Sequence, residues 1–72
     1  MTTMEWQLRV INENAELCAK IDRLTAFMDS EAAKGVHVDD FALLVAQRHA
    51  MQHYSDILLR RITNFGGKTG EA

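Results

Sequence analysis

The sequence predicts an all-α protein, an antiparallel two-helix hairpin whose copies assemble into a homo-oligomeric helical bundle. Two long segments repeat apolar residues at steps of three and four, which is the spacing of one helix face. A short segment without this periodicity separates them, and none of the 72 residues is proline. A hairpin of this length buries too little apolar surface to be stable alone, so we expect it to associate with copies of itself.

Helix one is predicted over about residues 4–28, which contain no glycine or proline. Its main apolar stripe alternates steps of four and three, with one polar residue among its members: Val10, Asn14, Leu17, Ile21, Leu24 and Met28. A narrower stripe lies beside it and consists of Ile11, Ala15 and Cys18. Together the two stripes are wider than one antiparallel partner covers, which indicates a second neighbour.

The connector is predicted over residues 29–39, where the periodicity is lost and the chain must reverse. Gly35 is expected to adopt a left-handed conformation or a loop turn there. Asp39 or Asp40 is expected to cap helix two, because a carboxylate accepts hydrogen bonds from the first turn and matches the positive end of the helix dipole.

Helix two is predicted over about residues 40–63, again with two apolar stripes. The first consists of Phe41, Leu44, Met51, Tyr54, Leu58 and Ile62, and the second of Leu43, Ala46, Ala50 and Ile57. The pattern stops after Ile62. The hairpin domain is therefore predicted to span residues 1–65, and the glycine-rich residues 66–72 to form a flexible tail.

The composition argues against several classes of partner. A net charge of −2 disfavours a protein that coats DNA or RNA, although a few local cations still suit a small anionic ligand. The longest apolar run, residues 41–46, is far shorter than the ~20 residues of a membrane span. The first residues lack the basic and apolar regions of a secretory signal, so we expect a protein that stays in the cytoplasm.

The residues that could carry chemistry do not form a catalytic or metal-binding pattern. His49 and His53 share one helix face, but no carboxylate completes a zinc-protease motif and a third ligand would have to come from His37. Cys18 is the single cysteine and lies on an apolar stripe, where a thiol is typically a small buried hydrophobe. We expect neither an enzyme nor a bound metal or cofactor.

The arginines are more informative. Arg61 lies at the margin of a packed stripe near the end of helix two, and an antiparallel hairpin brings it near Trp6 and Arg9 at the start of helix one. An aromatic face beside guanidinium groups suits a phosphorylated ligand that carries a base. Spacing alone leaves open the alternative that Trp6 only covers the core and that Arg9 pairs with Glu5 or Glu13.

Several short segments carry a likeness to a known family: Arg9-Val10-Ile11-Asn12-Glu13, Glu16-Leu17, Ile21, Arg23-Leu24-Thr25-Ala26-Phe27, Gln47, Ala50-Met51, Tyr54-Ser55, Ile57-Leu58 and Arg61-Ile62. Over about residues 6–62 the chain resembles the small phage proteins known as anti-CBASS sponges, which bind cyclic oligonucleotides. The same helical hairpin occurs in anti-Thoeris sponges for cyclic ADP-ribose isomers.

The resemblance implies a decoy without enzymatic activity. Members of the family assemble as hexamers and bind cyclic di- and trinucleotides made by bacterial defence cyclases, at contacts between protomers. The downstream effector then receives no signal. The resemblance therefore implies a phage anti-defence protein that acts in the cytoplasm of the infected bacterial host.

The resemblance also implies roles for individual residues. Trp6 corresponds to the ring that stacks on a base, and Arg61 to a phosphate-binding position near the end of the second helix. In Arg23-Leu24-Thr25, the arginine corresponds to a phosphate contact and the threonine to an added donor. Two further residues of helix one complete the predicted ligand-binding set of Trp6, Arg9, Asn12, Arg23, Thr25 and Arg61. The connector is less hydrophobic than in the family, which leaves the preferred ring size open.

Two alternatives remain at this stage. The apolar stripes could instead dock a host protein, which would make the chain a helical oligomerisation or adaptor protein. The sponge mechanism could also act on a ring derived from ADP-ribose.

Overall fold

A computed structural model of the protein describes residues 4–67. Two long helices, α1 (Glu5–Met28) and α2 (Val38–Gly67), are joined by a short 3₁₀-helix at Glu31–Gly35. No strand occurs within this described range, and the predicted all-α class is confirmed.

The two helices lie antiparallel and form a rod of 53 × 17 × 15 Å. Asn14 contacts Ser55, and Trp6 contacts Phe65, so positions early in α1 meet positions late in α2. The start of α1 and the end of α2 therefore share one end of the rod, called the open end below. The connector closes the opposite end.

A single apolar seam holds α1 against α2. Its buried residues are each at most 8% exposed and recur at heptad spacing, as a two-helix interface requires. This core consists of Val10, Leu17, Ile21 and Leu58, against which Met51, Ile62 and Phe65 pack.

The seam of α2 differs by one residue from the predicted stripe. Ser55 is 1% exposed, whereas Tyr54, which the sequence analysis placed in the stripe, is 43% exposed. From Met51, steps of four and three lead through Ser55 to Leu58, and this alternation keeps one face toward α1. Helical spacing, not side-chain hydrophobicity, selects the inward position.

Hydrogen bonds from nearby residues define both ends of α1. At its start, the Met4 N–H donates to Gln7 Oε1 at 2.9 Å, which satisfies an amide that precedes the helix. At its end, the Ser30 hydroxyl donates to the Phe27 carbonyl at 2.6 Å. That carbonyl is among the last four, which have no partner inside a helix.

The start of α2 corrects the predicted cap. The helix begins at Val38, and His37 occupies the capping position in place of Asp39 or Asp40. The His37 carbonyl accepts the Phe41 N–H at 2.9 Å, and its Nδ1 accepts the Asp39 N–H at 3.1 Å. Both aspartates lie instead in the first turn, where their charge complements the helix dipole.

The end of α2 corrects the predicted boundary. The helix does not end near residue 63 but continues to Gly67, so Gly66 and Gly67 belong to α2 and not to a tail. Phe65 packs against the core one turn beyond Ile62, and this contact favours continued helix despite the glycines that follow. The rest of the predicted tail, residues 68–72, lies outside the described residues.

Gly35 does not adopt the left-handed conformation expected of it. It is the last residue of the 3₁₀-helix, and the chain reverses through that helix, whose Ala33 is 6% exposed. The connector is thus held by a buried methyl group, and not by the conformational freedom of a glycine.

Many large apolar side chains lie outside the seam. Those at least 39% exposed are Met4, Trp6, Leu8, Ile11, Phe27, Val38, Leu43, Tyr54, Ile57 and Leu59. Neither of the two helices, as far as the structure describes them, is sufficiently apolar along its length to span a bilayer. Since single exposed apolar residues are ordinary but ten on so small a chain are not, these faces are candidates for contact with a partner.

We expect His37→Ala to lower the free energy of unfolding by about 0.5–2 kcal/mol, because the substitution leaves the Asp39 amide without its side-chain acceptor. Urea denaturation followed by circular dichroism, at one protein concentration for all variants, measures the loss. His37→Asn should recover most of it, since the amide oxygen accepts the same bond. A larger loss of unfolding free energy in Asp40→Ala than in His37→Ala would mean that Asp40, and not His37, caps α2.

Candidate functional site

A groove of about 310 Å³ lies at the open end, between the start of α1 and the end of α2. Antiparallel packing creates it, because this arrangement brings the first turn of one helix beside the last turns of the other. The groove is lined by Trp6, Gln7, Arg61, Asn64 and Phe65.

Two aromatic rings form one wall of the groove. Trp6 and Phe65 meet edge to face, with ring centroids 5.1 Å apart and an interplanar angle of 87°. This is a favoured geometry for aromatic pairs, and it holds the indole in one orientation. Trp6 nevertheless remains 49% exposed, so much of its surface is accessible to a flat ligand.

Arg61 supplies the positive charge of the groove. Its side chain is exposed, and no carboxylate within residues 4–67 forms an ion pair with it. The helix explains this, because its neighbours one turn away are Ile57 and Leu58 on one side and Asn64 and Phe65 on the other. With respect to residues 4–67, the guanidinium therefore keeps its donors available for an anion.

Amide groups complete the lining of the groove. The Oε1 atom of Gln7 accepts the Met4 N–H, which leaves the Nε2 group to donate. Asn64 is exposed and offers both a donor and an acceptor. The indole ring can stack on the base of a nucleotide, and the guanidinium can bind its phosphate. The two amides can form hydrogen bonds with the edge of the base.

Two of the predicted binding residues of α1 lie outside this groove. Arg9 forms an ion pair with Glu5 at 3.3 Å, and both side chains are about three-quarters exposed. Of the two partners left open by spacing, Glu5 is thus the one observed. Asn12 is exposed and does not line the groove either.

Arg23 and Thr25 lie near the other end of α1. Arg23 is exposed and Thr25 is half-buried. Arg23 follows Trp6 by 17 residues, which corresponds to about 25 Å along a helix. Within one protomer, the open-end groove and the Arg23-Leu24-Thr25 segment cannot hold one small ligand together, and their roles remain predictions.

Three residues of the groove were missed in the sequence analysis: Gln7, Asn64 and Phe65. A signal for Phe65 was present, because the steps from Leu58 to Ile62 to Phe65 continue the heptad alternation. The polar appearance of Thr63 and Asn64 hid this continuation.

A second group of polar residues lies inside the seam and is called the seam cluster below. The Ser55 hydroxyl donates to Asn14 Oδ1 at 3.0 Å, and the Cys18 Sγ lies 3.7 Å from Ser55 Oγ and 3.9 Å from Asn14 Oδ1. Cys18 is half-buried. In the part of the chain that the structure describes, no three His, Cys, Asp or Glu residues are placed to hold a metal ion.

The structure is thus a small helical hairpin with a half-open groove at its open end. The model of the Sequestin family matches residues 4–64, so the chain belongs to the Sequestin family. This membership confirms the resemblance to sponge-type proteins, and the family name indicates sequestration of a ligand and not its conversion. Comparison with curated proteins and with solved structures found no match.

We expect a coupling free energy of about 0.5–1.5 kcal/mol between Trp6 and Phe65 in a double-mutant cycle with Trp6→Leu and Phe65→Leu. The edge-to-face contact is lost in either single variant, so the double variant should lose less than the sum. Thermal and urea unfolding by circular dichroism measures the cycle. Tyr54→Leu with Trp6→Leu is the control and should show additive losses. Additive losses for Trp6 and Phe65 as well would mean that the ring contact adds nothing.

Proposed function

We propose that the protein sequesters cyclic di- and trinucleotide signals of bacterial CBASS defence without cleaving them, so that the effector is not activated. On this proposal it is a phage anti-defence protein that acts in the cytoplasm of the infected host. The observation that carries the proposal is the half-exposed Trp6 beside the exposed Arg61 in one groove.

The chemistry of the groove supports a nucleotide ligand. A purine or pyrimidine stacks on the indole, while the guanidinium donates two parallel hydrogen bonds to a phosphodiester. Gln7 and Asn64 provide donors and acceptors for the edges of a base. A ring closed by phosphodiesters loses little conformational entropy on binding, and the Trp6–Phe65 contact fixes one wall of the site in advance.

The size of the groove supports participation of a second copy. Its volume of about 310 Å³ lies at the lower limit of ordinary small-molecule sites, which span about 300–1,000 Å³. It accommodates one nucleotide unit, so a whole cyclic ligand needs further surface. In a homo-oligomer, which the resemblance makes a hexamer, another protomer supplies it, and the predicted residues Arg9, Asn12, Arg23 and Thr25 are available for that purpose.

The exposed apolar residues support the same assembly. Ile11 of α1 and Ile57 of α2 are 39% and 44% exposed, and both belong to the secondary stripes that face away from the seam. Leu43 is 67% exposed near the connector. Burial of such side chains between copies stabilises an oligomer by about 25 cal/mol per Å² of apolar area.

Two other functions use the same features. The exposed stripes could bind a host protein, in which case nucleotides would not affect the stability of the chain. A ring derived from ADP-ribose also presents a base and phosphates, so the groove chemistry admits it. The titration below separates the three.

We expect Arg61→Ala to weaken binding of a cyclic nucleotide by roughly tenfold to a hundredfold, because a hydrogen bond to a charged group is worth about 1.5–3 kcal/mol. Isothermal titration calorimetry with cyclic di-AMP, cyclic di-GMP, cyclic tri-AMP and cyclic ADP-ribose measures it. Arg60→Ala is the matched control, since this neighbour is exposed but does not line the groove, and it should change the affinity by less than about twofold.

The outcomes separate the candidates. Binding of a di- or trinucleotide that is recovered intact supports the proposed sponge. Binding of cyclic ADP-ribose alone would mean that the sponge binds a ring derived from ADP-ribose instead. No heat and no rise in melting temperature with any of the four compounds would contradict a nucleotide sponge and favour the adaptor, because a ligand of the folded state must raise that temperature. Equal losses of affinity in Arg60→Ala and Arg61→Ala would mean that the groove is not the binding site.

We expect light scattering to give a mass several times 8.2 kDa at micromolar concentration, up to that of a hexamer. Ile57→Glu should lower this mass, because a charge is placed on a face that copies bury. Lys20→Glu places the same side chain at an exposed position and changes the net charge by two units instead of one; it is the control and should keep the wild-type mass. A monomer in the wild-type protein would contradict the assembly.

A further inference from the structure

The seam cluster places polar groups among the buried apolar residues of the seam. Ser55 is 1% exposed, yet its hydroxyl is satisfied by Asn14 across the interface at 3.0 Å. The ion pairs within residues 4–65 join residues of the same segment and do not connect α1 to α2. The Asn14–Ser55 bond therefore distinguishes one alignment of α1 and α2 from others. Apolar packing and these local ion pairs do not.

A hydrogen bond of this kind adds little net stability, because both groups also bond to water in the unfolded chain. The hydrogen bond instead disfavours other alignments of the two helices, since a buried polar group without a partner is strongly unfavourable. A single polar residue in a heptad seam is known to select one alignment of helices at some cost in stability. Asn14 and Ser55 occupy such positions in α1 and α2.

The competing alignments can be enumerated. A shift of α2 by one heptad preserves the apolar spacing and places Ile62 or Arg48 opposite Asn14 in place of Ser55. A shift of three or four residues places Leu58 or Met51 there. The apolar residues leave the Asn14 amide without a hydroxyl donor, and Arg48 would bring a charged group toward the buried part of the seam.

Alignment matters for the groove. A shift of one heptad moves α2 by about 10.5 Å along α1 and separates Arg61 from Trp6. Asn14 follows Trp6 by eight residues, or about 12 Å along α1, so the cluster acts close to the open end. We propose that the Asn14–Ser55 hydrogen bond selects the one alignment of α1 and α2 that holds Arg61 beside Trp6. Both are positioning residues, and their effect on a ligand rests on the function proposed above.

The test replaces both partners by apolar residues, Asn14→Leu with Ser55→Ala, in the full chain. Since Trp6 is the single tryptophan, the wild type should give one indole N–H resonance and nuclear Overhauser contacts between the rings of Trp6 and Phe65. In N14L/S55A we expect additional indole resonances and loss of these contacts, without a lower melting temperature. Affinity for the cyclic nucleotide should fall at least tenfold.

Cys18→Ala is the matched control, because it alters the cluster but keeps the Asn14–Ser55 bond, and it should keep one indole resonance. If N14L/S55A does not fold, the single variants Ser55→Ala and Asn14→Asp test the proposal by the same count of indole resonances. Ser55→Ala must multiply the resonances, whereas Asn14→Asp keeps an oxygen acceptor and must not. A single wild-type resonance with intact ring contacts in the variant that lacks the bond would overturn the proposal. The ring contacts are measured without ligand, so absence of nucleotide binding in the wild type would contradict the sponge alone.

Discussion

The antiparallel apolar seam is the constraint on which the rest of the molecule depends. Four buried side chains, three from α1 and one from α2, hold two long helices together along a rod only 15–17 Å across. Because the seam follows a heptad spacing, it fixes which face of each helix points inward. It thereby brings Trp6 and Arg61 to one end, although they are separated by most of the chain.

The sequence was sufficient for the elements whose determinants are local and repeated. Long stretches without glycine or proline predicted α1, and antiparallel geometry predicted that Trp6 and Arg61 lie near each other. The inward position of Ser55 was missed because hydrophobicity favoured Tyr54, whereas geometry decides which residue faces the partner. The end of α2 was missed because the glycines at 66 and 67 outweighed, in a local pattern, the tertiary contact of Phe65.

Arg9 and Arg61, both toward the open end, show why the number of charges near a site does not say which of them serve it. Arg9 has an acidic residue one helical turn before it and forms an exposed ion pair with Glu5 at 3.3 Å. Arg61 has no acidic residue within one turn on either side, and no carboxylate of the described residues pairs with it. The same residue type thus has two different states, and the residues at four-residue spacing decide between them. His37 gives a similar lesson, since its ring nitrogen replaces the expected carboxylate at the start of α2.

Incomplete burial and an incomplete site have a common origin in this hairpin. A two-helix interface covers only one face of each helix, which leaves stripes with residues such as Ile11 and Ile57 exposed. The same lack of a third helix leaves the groove at the open end without an opposite wall. Under the proposed function, association of copies resolves both at once, because the surface that buries the stripes also encloses the ligand. Binding and assembly are then linked, and a ligand that touches two copies must stabilise the oligomer by the same free energy by which assembly strengthens its binding.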